Sequence, residues 1–128
     1  RAILNFGHTF AHGFEGAKNF SRRLNHGEAV LLGMIMAAQF SYNKKQLSLK
    51  DLNLIKNHFL NLNLPSKINS FFNKSEINKI VYFMKKDKKN FDKKINLILL
   101  KKIGKTSKLN SSITNSNAIK KFLTKQFV

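Results

Sequence analysis

The chain has 128 residues, 42% of them hydrophobic, which suits one domain with a real core and excludes global disorder. It has no cysteine, so disulfides and thiolate metal sites are excluded, and any metal must be held by His, Asp, Glu or carbonyl oxygen. The net charge of +18 is lopsided, with residues 1–42 carrying +2 and residues 43–128 carrying +16.

That excess raises the question of a nucleic-acid face. Of the 24 basic residues 21 are Lys, scattered among 16 Asn, while Arg, the better bidentate reader of phosphate and guanine, is scarce. Those abundant residue types share A/T-rich codons, and drift in base composition explains the pattern without a partner, so nucleic-acid binding is not expected. The first residue is Arg1, inside a helical pattern, so the chain is expected to be a fragment or the downstream part of something longer. No charged-then-apolar leader opens it, and the apolar run from Ala29 to Phe40 falls short of the roughly 18 residues that span a bilayer. The expected setting is cytoplasmic, without a membrane.

In chain order, residues 1–19 are predicted as a helix and "NFSRRLN" as a polar loop. His26 to Tyr42 forms a second helix, apolar on nearly every side and therefore buried all round. "SLKDLNLIKNHFLNLNLP" gives a third, with Ser48 as cap and Leu52, Ile55, His58 and Phe59 at helical spacing. Pro65 follows its end. "KSEINKIVYFMKKDKKN" is a fourth, capped by Ser75, with Ile77, Ile80, Val81 and Met84 on one face. "KINLILLKKIGK" is short, β-branched and bounded by charge and glycine, which predicts a strand or small hairpin. "TSKLNSSITNSN" reads as a Ser/Asn linker, and "NAIKKFLTKQF" as a closing amphipathic helix through Ile119, Phe122, Leu123 and Phe127. The class is mainly α.

The chemistry concentrates in the first two helices. At about 100° per residue, Arg1, Asn5, His8, His12 and Glu15 fall within roughly 80° on a helix, opposite Phe6, Phe10 and Phe14. The bland reading is an amphipathic helix with a wet face. Against it, the stripe has no Lys and a single Glu, and the helix contains Gly7, which costs about 1 kcal/mol in a helix interior and suggests close backbone approach. A lined cavity is the preferred reading. His26, packed antiparallel, could come beside His8, and two histidines with a carboxylate leave an open position for a substrate oxygen, as catalytic zinc requires. Glu28 could supply that carboxylate, act behind the ligands, or simply begin a helix, where negative charge suits the dipole.

Other motifs fail. "HTFAH" lacks the glutamate of HExxH, and "IGKTS" lacks the first glycine of a phosphate loop, since residue 99 is Leu. His58, among Leu and Phe, reads as a core histidine.

"RAILNFGHTFAHGFE", "HGEAVLLGM", "NLP" and "MKKDKKN…INLILLKKIGK" together resemble the C-terminal domain of the 3-dehydroquinate synthase family, in order and spacing, over about residues 1–105. The resemblance implies the helical C-terminal domain of the dehydroquinate synthase-like fold, with a small β-hairpin near 94–109. Residues 1–106 would form the helical metal- and substrate-binding domain, and 107–128 a linker and short C-terminal helix of the same domain. It further implies a phosphate-eliminating carbon–oxygen lyase of the shikimate pathway. Such an enzyme converts 3-deoxy-arabino-heptulosonate 7-phosphate, a sugar acid phosphate, to 3-dehydroquinate and phosphate, using NAD and Zn2+, with Co2+ as the alternative ion. On the matching positions, His8 and His26 are implied as metal ligands and His12 as a catalytic, substrate-binding histidine. Arg1 and Asn5 are implied to bind the substrate carboxylate and neighbouring oxygens. Lys88 and Lys89 hold the place of the family's carboxylate-binding, catalytic lysine. Glu15 and Glu28 match family positions and read as supports for the ligands.

The chain departs from the pattern at Ala11, where glycine is usual, at "HGFE", and in a slightly long loop before His26. The family's third ligand, a glutamate, and its NAD- and phosphate-binding residues belong to an N-terminal nucleotide-binding domain. That domain is therefore an expected partner, in cis or in trans, and the isolated chain is expected to be inactive. A homodimer is expected of the complete enzyme. The competing readings are a related sugar-phosphate cyclase, a polyol dehydrogenase, and an inactive Lys-rich remnant or nucleic-acid-binding module.

Overall fold

The computed structural model describes residues 6–19, 23–86, 94–97, 100–102, 105–106 and 113–127. Within them lie five α-helices: α1 (His8–Ala17), α2 (His26–Asn43), α3 (Leu49–Asn61), α4 (Ile77–Lys85) and α5 (Ser116–Lys125). Two short 3-10 turns, Ile68–Ser70 and Lys74–Glu76, precede α4. Four short strands follow it: β1 (Lys94–Asn96), β2 (Leu100–Lys102), β3 (Lys105–Thr106) and β4 (Ile113–Asn115). The mainly helical class predicted from the sequence is observed.

Helix α1 is the centre of the fold, packed against α2 on one side and α4 on the other. Its Phe10 and Phe14 are fully buried, and Phe6 just before it nearly so, as their spacing predicts. Phe10 meets Phe40 of α2 and Phe122 of α5 at centroid distances of 6.4 and 5.9 Å, and Phe40 and Phe122 meet edge-on at 5.0 Å. Edge-on and tilted contacts suit the ring quadrupoles, so three helices share one aromatic joint. Phe14 extends the cluster to Phe72, 5.4 Å away. On α4 the predicted face is the buried one, with Ile77, Ile80, Val81 and Met84 all in the core. The same holds for Ile119, Phe122 and Leu123 of α5.

Helix α1 does not run unbroken from the start of the chain. Phe6 and Gly7 form a turn, and Gly7 has φ 80°, left-handed backbone that ends any regular helix there. The helix that carries the stripe is thereby corrected to begin at His8. Gly7 is also where two backbones touch. A Cβ on Gly7 would lie 2.7 Å from the Met34 nitrogen, and one on Gly33 would lie 2.5 Å from the Gly7 carbonyl oxygen and 3.0 Å from the Ala11 nitrogen. The close approach expected at Gly7 is therefore that of α2.

The helix ends follow capping rules. Ser48 Oγ accepts from the Asp51 amide at 3.1 Å, as predicted. Ser75 is not the cap of α4. A 3-10 turn leads into that helix, and Asn73 and Glu76 form the capping box, with the Asn73 amide donating to Glu76 Oε1 at 2.9 Å. Lys18, at the end of α1, reaches the same carboxylate, 3.1 Å from Oε2, and lies over the Phe72 ring.

The β-structure is two antiparallel pairs. β2 and β3 form a hairpin inside the segment where one was predicted. β1 pairs instead with β4, with Ile95 opposite Thr114. Residues 113–115 sit within the stretch read as linker. Its β-branched Ile113 and Thr114 extend beside the fully buried Ile95 and lead straight into α5, capped by Asn115. His58 is exposed rather than in the core, because Leu52 and Phe59 carry the buried face of α3 and His58 lies off it. Among the described residues no helix is long and apolar enough to cross a membrane.

Candidate functional site

Helices α1 and α2 are antiparallel: Gly7 lies beside Met34, Ala11 beside Gly33, and Glu15 reaches His26. This arrangement sets the candidate side chains along one edge. His8 is the first residue of α1 and is exposed. His12, one turn on, is half-buried, and Glu15 follows on the same stripe. His26 is the first residue of α2, and its imidazole is open to solvent.

The start of α2 is held firmly. Asn25 Oδ1 accepts from the Glu28 amide at 2.8 Å, and Glu28 Oε1 accepts from the Asn25 amide at 3.0 Å. This capping box uses two backbone donors that would otherwise lack partners. One Glu28 carboxylate oxygen is thereby committed to the helix end, as the reading in which Glu28 begins a helix expects. The signal is present in "NHGE", an Asn three residues before a Glu ahead of an apolar run.

The contact that the fold makes at His26 is with Glu15, whose Oε2 lies 3.1 Å from Nδ1. From the sequence, His26 is expected beside His8. The helices pair antiparallel as expected, but His26 is level with Glu15, two helical turns or about 10 Å along α1 from His8.

The residues can be tested against a metal on this geometry. A metal-bound histidine characteristically gives its other ring N–H to a carboxylate, which fixes the ring and its tautomer. Glu15 stands in that relation to His26, and His8 supplies a second exposed imidazole on the same stripe. Among the described residues no group of three or more His, Asp or Glu is placed to hold a metal ion. A metal held by both His8 and His26 would need their imidazoles to converge across that offset and at least one further donor. Arg1, Asn5, Lys88 and Lys89 lie outside the described residues.

Residues 1–90 match the family model described as 3-dehydroquinate synthase C-terminal. A protein of Pelagibacter ubique (strain HTCC1062) named 3-dehydroquinate synthase is 52% identical over 126 residues, covering 98% of this chain and 34% of the relative. One of Rhodopseudomonas palustris (strain TIE-1), with the same name, is 34% identical over 110 residues, 82% of this chain and 29% of the relative. The chain thus spans about a third of the length of these curated relatives. Among solved structures, 2-deoxy-scyllo-inosose synthase complexed with carbaglucose-6-phosphate, NAD+ and Co2+ superposes with a TM-score of 0.73 at 23% identity, over 98% of this chain and 34% of that one. A second structure of 2-deoxy-scyllo-inosose synthase gives 0.70 at 22% identity, over 98% and 32%. These two likenesses establish the fold.

Proposed function

The chain belongs to the 3-dehydroquinate synthase C-terminal family, and from that premise we propose that it is the metal- and substrate-binding part of a 3-dehydroquinate synthase. The reaction is conversion of 3-deoxy-arabino-heptulosonate 7-phosphate to 3-dehydroquinate with loss of phosphate, dependent on NAD and a divalent metal, zinc in the first instance. The observation that carries the reading is the 52% identity with the Pelagibacter protein over 98% of the chain.

On this reading His8 and His26 hold the metal, which when bound acidifies the substrate hydroxyls it touches. On the same reading His12, half-buried between His8 and Glu15 on the stripe, exchanges a proton with bound substrate. Arg1 and Asn5 bind the substrate carboxylate and neighbouring oxygens, with Lys88 or Lys89 adding positive charge. The third metal donor and the NAD site come from the two thirds of the relatives' length that this chain does not span. That portion is needed for activity.

The test is to join the chain to the N-terminal portion of the Pelagibacter relative and assay phosphate release together with dehydroquinate formation. Turnover that requires NAD and is lost in His8→Ala and His26→Ala, with loss of bound metal, is expected. A folded chimaera that binds no stoichiometric metal, or whose metal content survives both substitutions, overturns the reading.

A further inference from the structure

We infer that Glu15 is the positioning residue for His26: its carboxylate accepts the Nδ1–H and leaves Nε2 as the nitrogen that meets a metal. The inference rests on the proposed function for the identity of the ligand, and goes beyond it in assigning how that ligand is prepared.

Three observations support it. First, an ionised carboxylate can only accept, so the 3.1 Å contact requires the proton of a neutral imidazole to sit on Nδ1. The lone pair is then on Nε2. Second, the two groups differ in exposure. The His26 side chain is 76% exposed, with little packing to hold its ring, whereas Glu15 is 22% exposed and stands in the last turns of α1, beside the buried Phe14, Gly16 and Ala17. The ring has its anchor in Glu15. Third, the backbone of His26 is already fixed by the Asn25–Glu28 capping box, so the torsions left to set are those of the side chain itself. Glu15 sets them from the neighbouring helix.

The competing account is an ordinary interhelical surface pair, which holds nothing and favours no tautomer. It predicts a small effect on folding and none on metal binding, and the two accounts separate on that difference.

The experiment titrates Co2+ into the full protein and records affinity and the d–d absorption spectrum, with thermal unfolding of the metal-free form measured alongside. Glu15→Ala is expected to weaken Co2+ by about 10- to 100-fold, the usual range for losing such a partner, and to shift the spectrum, while the metal-free Tm moves little. Glu15→Gln is expected to recover most of the affinity, because its amide oxygen accepts the same N–H. The inference is overturned if Glu15→Ala binds Co2+ as tightly as the parent with the same spectrum, or if Gln fails as fully as Ala. In either case His26→Ala still abolishes stoichiometric binding and the proposed function stands. If His26→Ala binds Co2+ like the parent, it is the proposed function that fails.

Discussion

The Gly7 carbonyl oxygen lies 2.5 Å from where a Cβ of Gly33 would stand, so the crossing of α1 and α2 has no room for a single methyl group. Both sides of that contact are backbone, and no side-chain rotation can relieve it. Gly33→Ala is expected to cost about 1–3 kcal/mol, the usual penalty for overpacking. Gly7→Ala adds about 1–2 kcal/mol for left-handed backbone at φ 80°. Chemical denaturation measures both. A neutral Gly33→Ala would show that the helices separate freely, and the spacing of His8 from His26 would then not be set here.

The aromatic joint makes α5 part of the core. Phe122→Ala should destabilise by about 3–5 kcal/mol, since it opens a cavity against Phe10 and Phe40. Phe122→Leu should cost clearly less, because it keeps most of the volume. Equal midpoints for the two variants in denaturant would mean that shape at this joint does not matter.

Glu76 serves two partners, one oxygen capping the turn at Asn73 and the other meeting Lys18, whose side chain is 14% exposed. Glu76→Ala removes both and leaves a mostly buried ammonium without its carboxylate, for an expected loss of about 1–3 kcal/mol. Glu76→Gln keeps an acceptor for the Asn73 amide and should fall between. A double-mutant cycle with Lys18→Met measures the coupling. A coupling energy of zero would leave only the cap.

Asn25 begins the helix that carries His26. Asn25→Ala is expected to cost about 1 kcal/mol through loss of the capping box, and Asn25→Asp to cost little. On the proposed function the alanine variant also binds metal more weakly, as the first turn frays around the ligand. Unfolding and Co2+ titration of the same preparations check both halves.

The helices were legible because apolar spacing is a direct record of burial. Phe6, Phe10 and Phe14, and Ile77, Ile80, Val81 and Met84, are buried as their periodicity requires. What spacing could not show was where a helix stops for tertiary reasons. Gly7 adopts left-handed backbone because α2 passes against it, and that neighbour is absent from any local window. β4 was missed for a similar reason: its partner β1 lies far along the chain, and three residues in a Ser/Asn-rich stretch carry too little pattern alone. His58 was misplaced because apolar neighbours in sequence are not neighbours on a helix face. At the site, the histidines and Glu15 stood out by their shared stripe, but the pairing of Glu15 with His26 depends on the offset between two antiparallel helices, which local spacing leaves open.

The pairing of β1 with β4 has a consequence for how this sequence can change over time. It pins Asn96 against Ile113 and hands the chain directly to α5, so both ends of the span between them are fixed by the fold. Closing a longer flexible loop between fixed ends costs little, about 0.6 kcal/mol for each doubling of its length. Insertions and deletions there that spare the β2–β3 hairpin and the buried Leu97 should be cheap, whereas one added residue between Gly7 and Glu15 would turn the histidine stripe by about 100°. Length variation among descendants of this chain is therefore expected to collect between the paired strands, and to spare the helix that bears the histidines.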